Sequence, residues 1–229
     1  NLRDDPRITH RNPLAGVDPD RDLTVRAARL LQETTGCSRG VDIHIDKRLP
    51  LGGGLGGGSS DCATTLVALN RLWELDLPID RLAELGLQLG ADVPVFVRGH
   101  AAWAEGVGEQ LTAVDLDEPW FLVVRPDCEV STGQVFSAPD LTRSTPPMTI
   151  RGFLDGSGGH NDCEPVVRAL FPAVGEALDW LNEHATACLT GTGACIFASF
   201  ATHTAAAGVA AALPQRWQGF VARGLNQSP

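Results

Sequence analysis

The residues best suited to chemistry form a glycine-rich run that leads into a helix-like segment. The run reads Pro50-Leu51-Gly52-Gly53-Gly54-Leu55-Gly56-Gly57-Gly58-Ser59-Ser60, and apolar residues at helical spacing follow it from Asp61 to Trp73. Glycine adopts positive φ angles and lets backbone N–H groups approach a ligand closely. The amino end of a helix adds unpaired N–H donors and a partial positive charge. Together these features predict a phosphate-binding loop, and hence a nucleotide-using enzyme.

Three other interpretations of the run are less consistent with the residues around it. A flexible linker is disfavoured, because the run joins a strand-like segment to a helix-like one. Gly52-x-Gly54-x-x-Gly57 satisfies a dinucleotide-binding pattern, but residues 41–45 alternate apolar and polar side chains, whereas the first strand of that fold is buried on both faces. A Walker A loop needs a lysine after its last glycine, and Ser59 stands there. These observations favour a non-Walker kinase, with Lys47 as the nearest cation.

Composition and charge narrow the possible partners. The formal net charge of −10 disfavours nucleic acid and anionic membranes, since both reward basic patches. No apolar run reaches the roughly 20 residues that span a bilayer. The six cysteines form no C-x-x-C pair, which disfavours structural zinc and favours a reducing, cytoplasmic compartment.

The elements that must position the loop are short helices and strands. Residues 1–20 are polar and predict mostly loop with one short strand. The alternating residues Asp42, His44 and Asp46 predict the solvent-exposed face of a strand rather than a metal site. Asp80 is the expected N-cap of the helix that Gly90 ends. Helices are expected over residues 22–32, 61–73, 80–90, 170–181 and 205–213, and strands over 41–45, 101–105, 110–114, 120–124, 195–200 and 219–222.

Such alternation indicates an α+β protein of two small domains. The acidic, proline-marked stretch 115–119 places their boundary, giving one domain over 1–118 and another over 119–229.

The glycine run together with three further segments resembles the motifs of the GHMP kinases. The further segments are Leu89–Phe96, Ala104–Glu109 and Leu189–Cys195, in the order and spacing of that family. The resemblance implies a ribosomal-S5-like domain followed by a ferredoxin-like domain. The first, over 1–118, would bind ATP, and the second, over 119–229, would lie on the substrate side. The resemblance implies use of ATP and Mg²⁺ and, for the branch that this pattern is most similar to, phosphorylation of the 2-hydroxyl of cytidine-diphosphate-linked methylerythritol in non-mevalonate isoprenoid biosynthesis.

The resemblance also assigns roles to residues. It implies that Asp92 is the catalytic base and lies at the substrate, although the residue types alone also allow a helix cap followed by Pro94. It implies that Asp22 lies near the adenine, where the family commonly has Asn, so that an amide contact would be lost. The ATP contacts that it implies are Asp22, Lys47, Pro50, Gly52, Gly53, Gly54, Leu55, Gly56, Gly57, Gly58, Ser59 and Ser60.

On the substrate side the resemblance implies Thr132, Phe136 and Gly191. Thr132 would hydrogen-bond near the diphosphate or tetritol, and Phe136 would stack on cytosine, although core packing is the alternative for Phe136. No carboxylate stands out as a metal ligand, so Mg²⁺ is expected to be carried by the ATP phosphates.

Two further expectations concern the whole chain. It starts at Asn1, after the point where the family carries its first motif, so weak or absent activity is expected of this chain as it stands. A non-catalytic nucleotide or metabolite sensor and a sister kinase for homoserine, mevalonate or a sugar are the alternatives. A monomer or weak homodimer is expected.

Overall fold

The computed structural model describes residues 1–13, 17–155 and 159–228, and the chain divides into two compact units. The first unit comprises Asn1–Arg48, Gly56–Leu116 and Asn226–Pro229, and the second comprises Leu49–Leu55 and Asp117–Leu225. The glycine run is therefore shared, with its first half in the second unit. The domain limits 1–118 and 119–229 stay a prediction for the functional domains.

The first unit packs helices on a small mixed sheet. Its elements are β1 Leu2–Arg3, β2 Ile8–His10, a 3₁₀ turn Pro19–Arg21, α1 Leu23–Thr35, β3 Gly40–Ile43, α2 Gly57–Leu72, α3 Ile79–Leu87, α4 Val93–Arg98, β4 Ala102–Glu105 and β5 Gln110–Ala113. The sheet order is β1-β3-β2, with β1 antiparallel and β2 parallel to β3, while β4 and β5 form a separate hairpin. The described part of residues 1–20 thus holds two short strands where one was expected.

Apolar faces of α1, α2 and α3 form the core of this unit. Leu31, Leu66 and Leu82 are fully buried there, and Cys62, Leu69 and Trp73 lie on the buried face of α2 or at its end. Helical spacing in the sequence predicted this face, because residues three and four apart share one side of a helix.

The second unit is an antiparallel sheet covered by helices. Its elements are β6 Trp120–Arg125, α5 Thr132–Ser137, α6 Ile150–Leu154, α7 Cys163–Leu170, α8 Pro172–Asn182, β7 Ala187–Leu189, β8 Ile196–Phe200, α9 His203–Ala211 and β9 Gln218–Arg223. The sheet order is β7-β8-β6-β9, and every neighbouring pair is antiparallel. Leu122 and Val124 of β6 pack with Leu178 and Leu181 of α8 in a second core. Both units therefore mix helices and sheets, which confirms the α+β class.

Several boundaries differ from the predictions. The helix expected from Asp61 begins at Gly57, because glycine and serine can occupy a first helical turn whose N–H groups need no internal partner. The strand expected over 41–45 ends at Ile43, since the backbone of Ile45 bonds to the side chain of Asn12 instead of to a strand.

The expected cap at Asp80 is wrong. The N-cap residue of α3 is Pro78, and Asp80 lies in the first helical turn, where its carboxylate pairs with Arg98. The helix ends at Leu87 rather than Gly90. The helix expected over 170–181 is also displaced, because Pro172 begins α8 and a separate helix, α7, ends at Leu170.

No helix within the described ranges is long and apolar enough to cross a membrane.

Candidate active site

Asp92 lies at the start of α4 in the first unit with its carboxylate exposed. It occupies the N-cap position, yet its side chain makes no capping hydrogen bond, and no ion pair to it is found among the described residues. Pro94 fits the first turn, where a missing N–H costs nothing. The alternative role of Asp92 as a side-chain cap is therefore absent from the described part of the chain, and the carboxylate is available to a ligand.

The beginning of α2 presents a helix amino end with no side-chain cap among the described residues. Its N-cap is Gly56 in the left-handed conformation, at φ 66°, and Gly57, Gly58 and Ser59 follow as the first helical residues. The N–H of Ser60 already donates to the Gly56 carbonyl at 2.8 Å, so the free donors are those of the residues before it. Sixteen residues of helix add their aligned peptide dipoles to this end. The arrangement suits an anion.

Packing of α4 on α2 brings Asp92 into the neighbourhood of this helix end. A methyl group at Gly56 would come within 2.8 Å of the Phe96 ring, and one at Gly90 would lie 3.9 Å from the Ser59 hydroxyl oxygen. Asp92 lies in the chain between these two contact points, Gly90 and Phe96. The glycine at position 56 is thus required both by its positive φ and by the ring against it.

Lys47 is held by a carboxylate in the first turns of α2. Its Nζ lies 2.5 Å from Oδ2 of Asp61, and its side chain is only 14% exposed. The lysine is therefore paired with a carboxylate and is not a solvated side chain at a strand end. The pair fixes a cation beside the helix start, and sequence reasoning missed Asp61 because nothing local links two residues 14 positions apart.

Asp22 is buried and caps α1. Its Oδ1 accepts hydrogen bonds from the Thr24 N–H at 2.8 Å and from the Thr24 hydroxyl at 2.6 Å. Its Oδ2 lies 3.4 Å from Nδ1 of His10, whose side chain is 2% exposed. Both carboxylate oxygens of the residue that the resemblance places near adenine thus face partners inside the fold. Sequence reasoning did not predict that His10 is buried, because a histidine among the polar residues 1–20 carries no signal of burial.

The segment Leu49–Leu55 lies in the second unit against the turn at residues 190–195. The hydroxyl of Thr190 donates to the Gly54 carbonyl at 2.7 Å, and the Cys195 N–H donates to the Gly53 carbonyl at 3.1 Å. A side chain at Gly54, whose φ is 73°, would overlap the carbonyl oxygen of Thr190. Gly52 has φ 64° but open space around it, Pro50 packs beside Gly53, and Leu55 is half-buried. These glycines allow two backbone turns to meet.

The predicted substrate residues of the second unit lie on its surface. Thr132 begins α5, and its hydroxyl lies 2.9 Å from the hydroxyl of Thr192. The Phe136 side chain is 56% exposed, so ordinary core packing, the alternative for this ring, is wrong. Gly191 has φ 54° and lies in the same turn as Thr192. Thr132 and Gly191 are thus brought into one neighbourhood, through Thr192.

The described residues contain no group of three or more His, Cys, Asp or Glu side chains placed to hold a metal. All six cysteines, each within the described ranges, are free thiols.

Comparison with known proteins identifies this architecture. The model of the GHMP kinase N-terminal domain matches residues 22–100, and that of the C-terminal domain matches residues 149–219. The 4-diphosphocytidyl-2-C-methyl-D-erythritol kinase of Nitrosococcus oceani is 59% identical over 224 residues, covering 98% of this chain and 80% of that protein. The enzyme of the same name from Thiobacillus denitrificans is 58% identical over 228 residues, covering 100% of this chain and 82% of that protein.

Solved structures agree. A crystal structure of 4-(cytidine 5'-diphospho)-2C-methyl-D-erythritol kinase matches with TM-score 0.78 and 29% identity, covering 98% of this chain and 85% of that one. Homoserine kinase from Cytophaga hutchinsonii matches with TM-score 0.73 at 20% identity, covering 99% and 85%, which shows a shared fold.

The fold and the matched domain models define a GHMP kinase. Within that class, the chain belongs to the family of the 4-diphosphocytidyl-2-C-methyl-D-erythritol kinases.

Proposed function

We propose that this protein transfers the γ-phosphoryl group of ATP to the 2-hydroxyl of 4-diphosphocytidyl-2-C-methyl-D-erythritol. The names of its relatives support the substrate, and the family supports the use of ATP. The reaction places the enzyme in isoprenoid precursor biosynthesis.

One observation carries the proposal: Asp92 is an exposed carboxylate with no capping bond among the described residues, at the start of the helix that packs on the glycine-led amino end of α2. A carboxylate near the acceptor hydroxyl can take its proton as the phosphoryl group transfers. The N–H donors and dipole of α2 would stabilise the phosphate charge. Asp92 is thus the proposed base and also a substrate contact.

The remaining ATP contacts are proposed from the same loop. Gly52 to Leu55 and Gly56 to Ser60 would supply backbone N–H groups to the phosphates, and Lys47 would supply the cation. Asp22 would lie near the base, with its Oδ1 bonded to Thr24 and its Oδ2 facing His10. Pro50 would fix the entry of the loop.

Mg²⁺ is part of the proposal as a partner of ATP. Magnesium in kinases commonly binds through substrate phosphates and water with one or two carboxylates, rather than in an all-protein cage. The bound ion would neutralise charge on the transferring phosphoryl group.

The substrate contacts are proposed on the second unit. The exposed ring of Phe136 is free to stack on a cytosine. The hydroxyls of Thr132 and Thr192, with the backbone at Gly191, would bind the polar part of the substrate. A cytoplasmic location and a monomeric or weakly dimeric state complete the proposal.

The test is ADP release from the full-length protein with ATP, Mg²⁺ and one alcohol at a time. We expect turnover with 4-diphosphocytidyl-2-C-methyl-D-erythritol, and at least 100-fold lower kcat/KM with mevalonate, homoserine or galactose. Preference for one of the other alcohols would indicate a sister kinase. ATP binding without turnover on any of them would indicate a sensor.

A further inference from the structure

Asn161 connects helix α7 to the turn that supports the glycine loop. Its side-chain amide donates to two backbone carbonyls, that of Leu189 at 3.1 Å and that of Gly191 at 2.7 Å. Its Oδ1 accepts from the Cys163 N–H at 2.9 Å, at the start of α7. Both N–H donors of the Asn161 amide and its oxygen are therefore hydrogen-bonded within the second unit.

The two accepting carbonyls flank Thr190, the residue that contacts the loop. Thr190 donates its hydroxyl to the Gly54 carbonyl, and the Cys195 N–H donates to the Gly53 carbonyl. The turn is closed internally by the Gly193 N–H, which donates to the Thr190 carbonyl at 2.9 Å. Gly191 and Gly193 both have positive φ, so the turn has glycine's wide conformational freedom and needs external contacts to hold one shape.

We propose that Asn161 is a positioning residue for phosphoryl transfer. It fixes the turn at residues 190–195, and through Thr190 and Cys195 it fixes the Gly53–Gly54 backbone of the ATP loop. This inference rests on the proposed function, since it assigns a phosphate-binding role to that backbone. The amide suits the position because it alone offers two donors and an acceptor at this length.

The same turn also reaches the predicted substrate side. Thr192 pairs with Thr132 on α5, so the turn held by Asn161 has the ATP loop on one side and a substrate threonine on the other. Precise placement of both matters, because a displacement of about 1 Å at a reacting group costs on the order of 100-fold in rate.

Asn161→Asp tests the proposal with the least change of shape. The introduced carboxylate keeps the acceptor for the Cys163 N–H but removes both donors to the turn. We expect the KM for ATP to rise about tenfold or more. A merely structural loss would lower the fraction of active enzyme, and hence kcat, and would leave KM unchanged.

Amide hydrogen exchange gives a readout independent of catalysis. In Asn161→Asp the Cys195 N–H, which donates to Gly53, should exchange at least about tenfold faster, because the turn that holds it is no longer anchored. Thr145→Val is the matched control, since Thr145 bonds Asp162 next to Asn161 without touching the turn. The control should leave both the exchange rate and the KM for ATP at wild-type values.

Asn161→Ser keeps an oxygen that can accept the Cys163 N–H and adds no charge. It replaces the aspartate variant in both measurements if that variant does not fold. Unchanged exchange and unchanged KM for ATP in a folded variant would overturn the proposal. If wild type releases no ADP with any substrate but exchange at Cys195 still rises in the variants, the proposed function fails while the positioning of the loop by Asn161 stands.

Discussion

At the residue scale, Asp92 is unlike two other aspartates that begin helical segments. Asp18 accepts from the Asp20 N–H, and Asp22 accepts from the Thr24 N–H, so both carboxylates satisfy donors of their own segment. Asp92 makes no such bond within the described chain. A capping carboxylate stabilises its helix, whereas an unengaged one is free to accept a proton from a substrate.

Asp92→Asn should lower kcat for ADP release by about 100- to 10,000-fold, the usual contribution of a general base. The affinity for ATP and the melting temperature should change little, because no described contact depends on the carboxylate. Steady-state kinetics and titration calorimetry measure the two effects.

Asp80→Asn is the matched control for that experiment. Asp80 lies in the first turn of α3, and its exposed carboxylate pairs only with the surface residue Arg98 among the described residues. The control should keep wild-type kcat. Near-wild-type turnover of Asp92→Asn would show that the base has been misassigned.

Lys47 is the only lysine in the 229-residue sequence, which gives its chemistry a clear label. Its ion pair with Asp61 holds the ammonium close to the helix start. If Lys47 contacts ATP, saturating ATP should slow its acylation by an amine-reactive ester at least about tenfold, since a bound phosphate covers the ammonium. Peptide mass spectrometry of the full-length protein measures the modified fraction.

The amino terminus serves as an internal reference in the same sample. Its amine should react at the same rate with and without ATP. Equal protection of both amines, or none at Lys47 while ATP binds, would remove Lys47 from the nucleotide site.

At the element scale, the two halves of the glycine run make different contacts. Its second half starts α2, where Gly56 adopts a left-handed N-cap conformation under the Phe96 ring. Its first half meets the turn at Thr190, where a Cβ would collide with backbone. The glycines are therefore required at some positions by φ alone and at others by close approach.

Gly54→Ala and Gly52→Ala separate these two requirements. Both positions have similar positive φ, which costs an alanine about 1–2 kcal/mol, but only the alanine at 54 would also overlap a carbonyl oxygen, that of Thr190. We expect the free energy of unfolding to fall more for Gly54→Ala, and the KM for ATP to rise with it. Chemical denaturation and kinetics of both variants measure the difference, and equal losses would contradict the contact with Thr190.

At the scale of the whole molecule, each unit has its own apolar core. Leu31, Leu66 and Leu82 belong to the core of the first unit, and Leu122 and Leu178 to that of the second. Each unit also contains a fully buried cysteine, Cys62 in the first and Cys195 in the second. Burial raises the pKa of the Cys62 thiol to about 12 and that of Cys195 to about 11.

These two thiols should therefore report on the folding of the two units separately. At pH 8 a raised pKa leaves almost no thiolate, the reactive form, so both should react with an aromatic disulfide reagent at least about 100-fold more slowly than in the unfolded chain. Mass-spectrometric mapping along a denaturant series should show Cys62 reacting as the first unit opens, and Cys195 as the second opens. Rapid labelling of either in the native protein would contradict its burial.

Local patterns in the sequence were sufficient for much of the fold. The period of apolar residues predicted the buried face of α2, because side-chain period follows directly from backbone geometry, and the continuous apolar run at 120–124 predicted the strand β6. Helix α1, expected over 22–32, continues to Thr35 and ends at Gly36, since glycine adopts the left-handed cap without strain. Helix starts were less accurate, as at Gly57 and Pro172, because glycine and proline are tolerated in a first turn as well as in loops.

For the candidate site, the sequence by itself determined the family and the position of the glycine loop, and it indicated Asp92 as the candidate base. Four motifs in the same order form a signal that no single motif carries. Only the tertiary structure decided how those residues are held. It paired Lys47 with Asp61 and buried Asp22 beside His10, and within the described ranges it gave the Asp92 side chain no capping bond. It also placed Asn161 under the turn that supports Gly54. The physical reason is that hydrogen bonds and ion pairs between distant residues depend on which segments meet, and a local pattern does not encode that meeting.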